Sequence, residues 1–175
     1  MIAFCYTTVR WVDSLLIELV GTEGFFMRFV SIGLTCVSIF LTGAALAADA
    51  STQEANKKAV VEFYEKGLNQ KDFEAASKYF GPRYVQHNPN AADGVEGFKG
   101  FIGFLREKFP DSRSEIKRAF ADGDYVILHV HSVREKDTRG RAIVDIFRLE
   151  NGKIVEHWDV VQEIPEKAAN TNGMF

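Results

Sequence analysis

The chain has 175 residues, of which 46% are apolar and 26% are charged, and its formal net charge is −3. This composition is ordinary for a globular protein and argues against disorder, collagen or a polytopic membrane protein. Acidic and basic residues are interspersed, so the chain lacks the basic stripe that nucleic-acid binding requires. We therefore expect one folded domain and no nucleic-acid partner.

The N-terminal quarter has the order of a secretory signal. Met27 and a basic residue precede an apolar stretch that starts at Phe29, and small residues follow it as far as Ala47. This predicts cleavage after Ala47, while a retained membrane anchor is the alternative because the stretch is close to spanning length. Residues 1–47 are thus interpreted as an upstream extension plus a signal that starts at Met27. Residues 48–175 are then a periplasmic or secreted domain with no membrane attachment after processing.

Both cysteines, Cys5 and Cys36, precede the predicted cleavage site. The exported domain therefore forms no disulfide. Its length is sufficient for a hydrophobic core to hold it together without one.

Three helices are predicted in the first half of this domain. The segment Ser51–Glu54 has the spacing of a capping box, and the apolar residues after it recur at helical intervals. Asp72 is placed to cap a short second helix that includes Phe80 and stops at the following Gly-Pro pair. A third apolar stripe, from Phe98 to Phe109, predicts another helix.

The second half changes to an alternating pattern, which is typical of strands. The candidate strands are Ile116–Phe120, Tyr125–Val133, Ala142–Leu149 and Lys153–Gln162. Short Gly-containing links join the first two and the last two strands, which predicts hairpins and an antiparallel meander. One face of such a sheet needs a cover, and the helices are the available partners. The fold class is therefore α+β.

Three stretches resemble a known family: Tyr84–Pro89, Val144–Arg148 and Asn151–Asp159. Together they look like the SnoaL-like polyketide cyclase group of the nuclear-transport-factor-2-like superfamily, over about residues 52–165. The resemblance implies a cone-shaped roll, in which a curved, mostly antiparallel sheet wraps around a long helix and encloses a deep, mostly apolar pocket. It implies no cofactor.

The resemblance also implies a base. In the characterised cyclases of this group, an acidic residue near the end of the last strand is the acid/base of an intramolecular aldol ring closure, and Asp159 matches that position. Asp145 stands fourteen positions earlier, where those cyclases have a histidine. This difference from the characterised cyclases concerns which substrate the site accepts.

The residues themselves leave alternatives open for both carboxylates. Asp145 lies between Ile143 and Phe147 on one strand face, where a buried base would be found, or it pairs with a nearby arginine on a solvated face. Asp159 either faces the pocket or caps a loop. A bulge near the Asn-Gly turn would change the residues that oppose Asp145, so alternation alone does not determine which face of the last strand points inward.

His87 is the third catalytic candidate, because it lies where an extended segment opens into a loop. A hydrogen bond within its own turn is the alternative interpretation. Asn88 beside it, together with Phe147 and Trp158, is predicted to contact the substrate. The aromatic residues equally suit a plain core.

His129 and His131 alternate on one strand face and are also predicted to contact the substrate. The run Gly123–Glu135 matches much of the first cupin motif, yet the second cupin motif is missing and the preceding helices do not suit a jelly roll. We therefore predict no metal site.

Two hypotheses follow for the function. The first is a cofactor-free lyase or isomerase that acts on a small, apolar carbonyl compound by aldol condensation, cyclisation or isomerisation. The second is a non-catalytic secreted module that binds a small hydrophobic ligand. They are distinguished by whether carboxylate and imidazole groups converge in a closed pocket.

A homodimer is also predicted. Val126, Leu128 and Val130 alternate with the histidines, and we assign them to the outer face of the sheet, where a second subunit would cover them.

Overall fold

The computed structural model describes residues 49–175. The predicted signal, its start at Met27 and its cleavage after Ala47 lie outside these residues. Within the described part, no helix is long and apolar enough to cross a membrane.

Within residues 49–175, three helices precede most of the sheet, as predicted. The first, α1, covers residues 49–69 and ends in a π-helical turn, Glu65–Asn69. Helix α2 is Phe73–Ser77, and the Asp72 carboxylate caps it by accepting from the Ala75 backbone N–H at 3.0 Å. Helix α3 is Gly94–Lys108. The capping-box prediction was wrong in detail, because residues 49 and 50 are already helical and Ser51 lies inside α1.

In the described part of the chain, five strands form one sheet: β1 (Phe80–Gln86), β2 (Arg113–Asp122), β3 (Tyr125–Val133), β4 (Arg141–Glu150) and β5 (Lys153–Glu163). Strands β2 to β5 are the predicted antiparallel meander. Strand β1 pairs in parallel with β5, which gives the order β1-β5-β4-β3-β2. Phe80 therefore begins this edge strand and does not belong to α2. The α+β roll with a mostly antiparallel sheet is confirmed.

The core lies between the helices and the inner face of the sheet. Val126, Leu128 and Val130 of β3 are each 0% exposed and belong to the same cluster as Phe63 of α1 and Ile102 of α3. Each large side chain buried in this way contributes about 1.5–3 kcal/mol. These three β3 residues were assigned to the outer face, and that assignment was wrong. Burial selects the strand face that carries Val126, Leu128 and Val130, so the alternating histidines face outward.

A bulge sets the register of the last hairpin. Arg148 pairs with Glu156 whereas Leu149 pairs with Ile154, so Val155 is the extra residue on β5. Beyond the bulge, every second residue of β5 faces the helices. The outer face carries exposed apolar residues on four strands: Phe120, Tyr125, Val144 and Val160. The homodimer stays a prediction. A second subunit would pack against this apolar outer face.

Candidate active site

A cavity of about 780 Å³ lies between α1, α3 and the inner face of the sheet. This volume suits a small organic molecule. Apolar side chains form much of its wall, among them Phe63, Leu68, Phe98, Phe101 and Leu105. Polar groups enter it from β1, β4 and β5.

Two carboxylates face each other across the inner surface of the sheet. Asp145 of β4 and Asp159 of β5 are cross-strand partners, and both line the cavity. Asp145 is buried and accepts a hydrogen bond from the Tyr64 hydroxyl at 3.1 Å. Asp159 is half-buried, and both of its oxygens accept from the Asn88 side-chain amide, at 2.7 and 2.8 Å. Within residues 49–175 no cation pairs with Asp159. Its carboxylate is therefore held in place by Asn88 and faces the cavity with its negative charge unpaired.

An imidazole completes this group. The His157 Nε2 lies 3.0 Å from the Asp145 Oδ1, and its Nδ1 lies 3.0 Å from the Gln86 Oε1. The same Gln86 oxygen accepts from the backbone N–H of Asn88 at 2.9 Å, so it is an acceptor and Nδ1 must donate to it. One further proton must then lie between Nε2 and the carboxylate oxygen, because two unprotonated acceptors would repel each other. The Asp145–His157 pair therefore holds a proton at the cavity wall.

A tyrosine hydroxyl supplies a donor. The Tyr84 Oη accepts from the Gln86 Nε2 at 3.0 Å, and its own proton has no acceptor among residues 49–175. Burial raises the pKa of Tyr84, and the nearby charges of Asp145 and Asp159 raise it further. The hydroxyl thus keeps its proton and can donate it in a hydrogen bond to a ligand oxygen. The pKa of Tyr64 is likewise raised by burial, but its proton is already bonded to Asp145.

A family model described as SnoaL-like polyketide cyclase matches residues 58–169, which is more than half of the chain. The chain belongs to the SnoaL-like polyketide cyclase family. This confirms the resemblance read from the three sequence stretches. A comparison with curated proteins finds no match.

Solved structures agree on the fold of this SnoaL-like protein. TsrD from Streptomyces laurentii aligns over 61% of this chain and 88% of its own, with a TM-score of 0.52 and 19% identity. A candidate polyketide cyclase from Bacillus cereus aligns over 61% and 74%, with a TM-score of 0.55 and 22% identity. A candidate ketosteroid isomerase from Kribbella flavida aligns over 67% and 85%, with a TM-score of 0.55 and 17% identity. At these identities the likeness concerns the fold alone.

The predicted catalytic residues of this SnoaL-like chain separate into two groups. Asp145 and Asp159 meet in the cavity. His87 does not join them: it lies on the other side of the sheet, where its Nε2 is 2.8 Å from the Glu156 carboxylate and its ring stacks on Trp158 at 4.6 Å. The cause is the alternation of side chains along β1: Tyr84 and Gln86 face the cavity, so His87, the next residue, faces the other way.

The predicted substrate-contacting residues also divide. Asn88 and Phe147 line the cavity, whereas Trp158, His129 and His131 lie outside it. The His131 Nε2 is 2.8 Å from a backbone carbonyl, the His129 Nδ1 is 3.0 Å from an arginine, and both rings contact Phe175. The structure therefore does not bring these two histidines or Trp158 to this cavity.

One group in the described chain has spacing suitable for a metal ion. The possible ligand atoms of Asp145, His157 and Asp159 lie within 4.8 Å of one another. A divalent cation there would have to displace the proton between His157 and Asp145.

Sequence reasoning missed His157, Tyr84 and Gln86. The signal for His157 was present, because it alternates with Asp159 and must share its strand face. Tyr84 and Gln86 alternate in the same way. Their closeness to Asp145 required the parallel pairing of β1 with β5, for which the sequence carries no local signal.

Proposed function

We propose that this protein is a cofactor-free acid/base enzyme that removes a proton from carbon next to a carbonyl group. The observation that carries the proposal is Asp159, a carboxylate without a cation partner in the described chain, beside the proton-bearing Asp145–His157 pair and the Tyr84 hydroxyl. A base, an acid and an oxygen donor thus meet at one wall of an apolar cavity, which is the set that enolate chemistry requires.

The first step is deprotonation. An Asp159 oxygen takes the proton, and the electron pair of the C–H bond moves through the carbon to the carbonyl oxygen. The Tyr84 hydroxyl donates a hydrogen bond to the enolate oxygen that forms. Asn88 holds the Asp159 carboxylate in place during the transfer.

The second step determines the reaction class. In an aldol cyclisation, the enolate carbon bonds to a second carbonyl carbon of the same molecule, and the new alkoxide takes the proton of the Asp145–His157 pair. The proton that Asp159 removed then passes to this pair, whose ligand atoms lie within 4.8 Å of those of Asp159, so both groups return to their starting states. In an isomerisation, Asp159 returns its proton to a different carbon of the same substrate. Both reactions conserve all atoms and use no oxidant. Among the neighbours in fold, candidates for both classes occur.

The alternative function is the non-catalytic binding module. The size and the apolar wall of the cavity favour it. Convergence of a carboxylate and an imidazole in the cavity distinguishes the enzyme from the binding module. His157 provides the imidazole that His87 does not. This convergence favours the enzyme.

Deuterium exchange tests the proposal without knowledge of the natural substrate. Aryl and cyclic ketones are incubated with the protein in deuterated water, and uptake of deuterium next to the carbonyl is followed by NMR. Asp159→Asn should slow the catalysed exchange by a factor of about 10²–10⁴. Asp122→Asn, at an exposed strand end, is the matched control and should leave the rate unchanged. Equal rates in Asp159→Asn and the parent protein would reject Asp159 as the base, and ketones that bind without exchange would favour the binding module.

A further inference from the structure

The cavity has a second polar region, at the opposite end of its β4 wall from the acid/base group. Arg134, directly after β3, and Arg141, the first residue of β4, both line it. Arg141 precedes Asp145 by four residues on the same strand face, which corresponds to about 13 Å at ~3.3 Å per residue. The two ends of the cavity are therefore opposite in charge.

Arg134 has no hydrogen bond or ion pair to any residue of the described part of the chain. Its guanidinium lies over two aromatic rings, 5.5 Å from the centre of Phe101, which lines the cavity, and 5.8 Å from that of Phe109. Burial lowers the pKa of Arg134, and the positive charge of Arg141 lowers it further. The rings hold the planar group in place while its N–H donors stay unused by protein.

Arg141 carries a second positive charge, and this charge is paired only weakly. Its partner is Glu163, at 3.7 Å, which is beyond hydrogen-bond distance, and the Glu163 side chain is 78% exposed whereas that of Arg141 is 19% exposed. Two guanidiniums thus share one solvated carboxylate. One positive charge in the cavity wall is left without a counter-ion within residues 49–175.

We infer that the cavity takes a carbonyl substrate that also carries a carboxylate, and that Arg134 and Arg141 bind this carboxylate while the reacting carbon lies beside Asp159. A single carboxylate matches the single uncompensated charge, and its planar geometry fits the guanidinium fork. The aromatic rings beside Arg134 suit an otherwise apolar molecule. This inference rests on the proposed function, since it names the substrate class of that same cavity.

Equilibrium binding tests it separately from turnover. The probe is benzoylpentanoate, in which a flexible chain joins an aryl ketone to a carboxylate, and the comparison is its neutral methyl ester. Isothermal titration calorimetry should give an affinity for the acid that exceeds that for the ester by about tenfold or more. The same preference should persist in Asp159→Asn, which removes the proposed base and leaves the arginines.

Variants assign the preference to the cavity. Arg134→Gln should weaken binding of the acid by about tenfold and leave the ester unchanged. Arg134→Lys keeps the charge and should retain part of the preference. Arg118→Gln, an exposed position on β2, is the matched control and should alter neither affinity. A thermal unfolding curve for each variant shows that the fold is intact.

Three results would overturn the inference: equal affinity of the parent for acid and ester, no binding of the acid, or an equal loss of both ligands in Arg134→Gln. Selective binding of the acid without deuterium exchange would instead reject the proposed enzyme and leave recognition of the carboxylate standing. Deuterium exchange of neutral ketones, without preferential binding of acids, would uphold the proposed enzyme and reject recognition of the carboxylate.

Discussion

Two histidine–carboxylate pairs lie back to back on the two faces of the sheet. On the inner face, His157 meets Asp145 at 3.0 Å with side chains that are 10% and 6% exposed. On the outer face, His87 meets Glu156 at 2.8 Å with side chains that are 39% and 19% exposed. Glu156 and His157 are adjacent in the chain, so strand alternation alone sends one pair into the cavity and the other toward solvent.

The difference shows that the environment, and not the pair itself, determines what such a contact can do. The outer pair is shared with Arg148, which also binds Glu156 at 2.7 Å, and water screens it. The inner pair is buried almost completely, and Gln86 determines which ring nitrogen donates. Reactivity is therefore expected on the inner face alone.

The largest difference between the two pairs is expected in the free energy of unfolding, when each imidazole is removed in turn. His157→Ala leaves Asp145 buried without its partner and should lower the free energy of unfolding by about 3–5 kcal/mol. His87→Ala removes a solvated pair and should cost only about 0–1 kcal/mol. Chemical denaturation of both variants measures this. Equal losses would show that the inner pair is no more isolated from water than the outer pair.

Removal of one tyrosine hydroxyl should reveal the same difference between the two faces in the rate of deuterium exchange. Tyr84→Phe takes the oxygen donor from the cavity and should slow deuterium exchange by about 10²–10³, the usual cost of one oxyanion donor. Tyr125→Phe, on the outer face, is the matched control and should exchange at the parent rate. An unaffected rate in Tyr84→Phe would mean that another group stabilises the enolate.

The smallest effect is expected from pH on the outer pair. Hydrogen bonds from His87 and Arg148 lower the pKa of Glu156 from 4.5 in the folded protein. A lowered folded-state pKa stabilises the fold above pH 4.5, and this contribution is lost as the pH falls through the lower value. Glu156→Gln should therefore unfold at a slightly lower temperature than the parent at neutral pH, and the two should converge in acid. A constant difference at all pH values would contradict this.

The sequence predicted the meander, the helices and the position of both carboxylates, because alternation, helical spacing and the family resemblance are local signals. It did not predict the inner face of β3, where alternating histidines and valines fit either orientation until burial decides. It also placed His87 at the cavity, because nothing local reveals that β1 runs beside β5. Asn88 and Phe147 reached the cavity, while His157 and Tyr84 were overlooked although their alternation with Asp159 and Gln86 was visible.

We expect the inner pair to hold its proton in a fixed network, whereas the outer pair does not. Two-bond proton–nitrogen NMR of the imidazole rings tests it directly at neutral pH. The expected result is a protonated Nδ1 in His157, with slow exchange of that proton with water, and fast exchange at His87. An unprotonated Nδ1 in His157, or ring protons that exchange equally fast in both histidines, would contradict it.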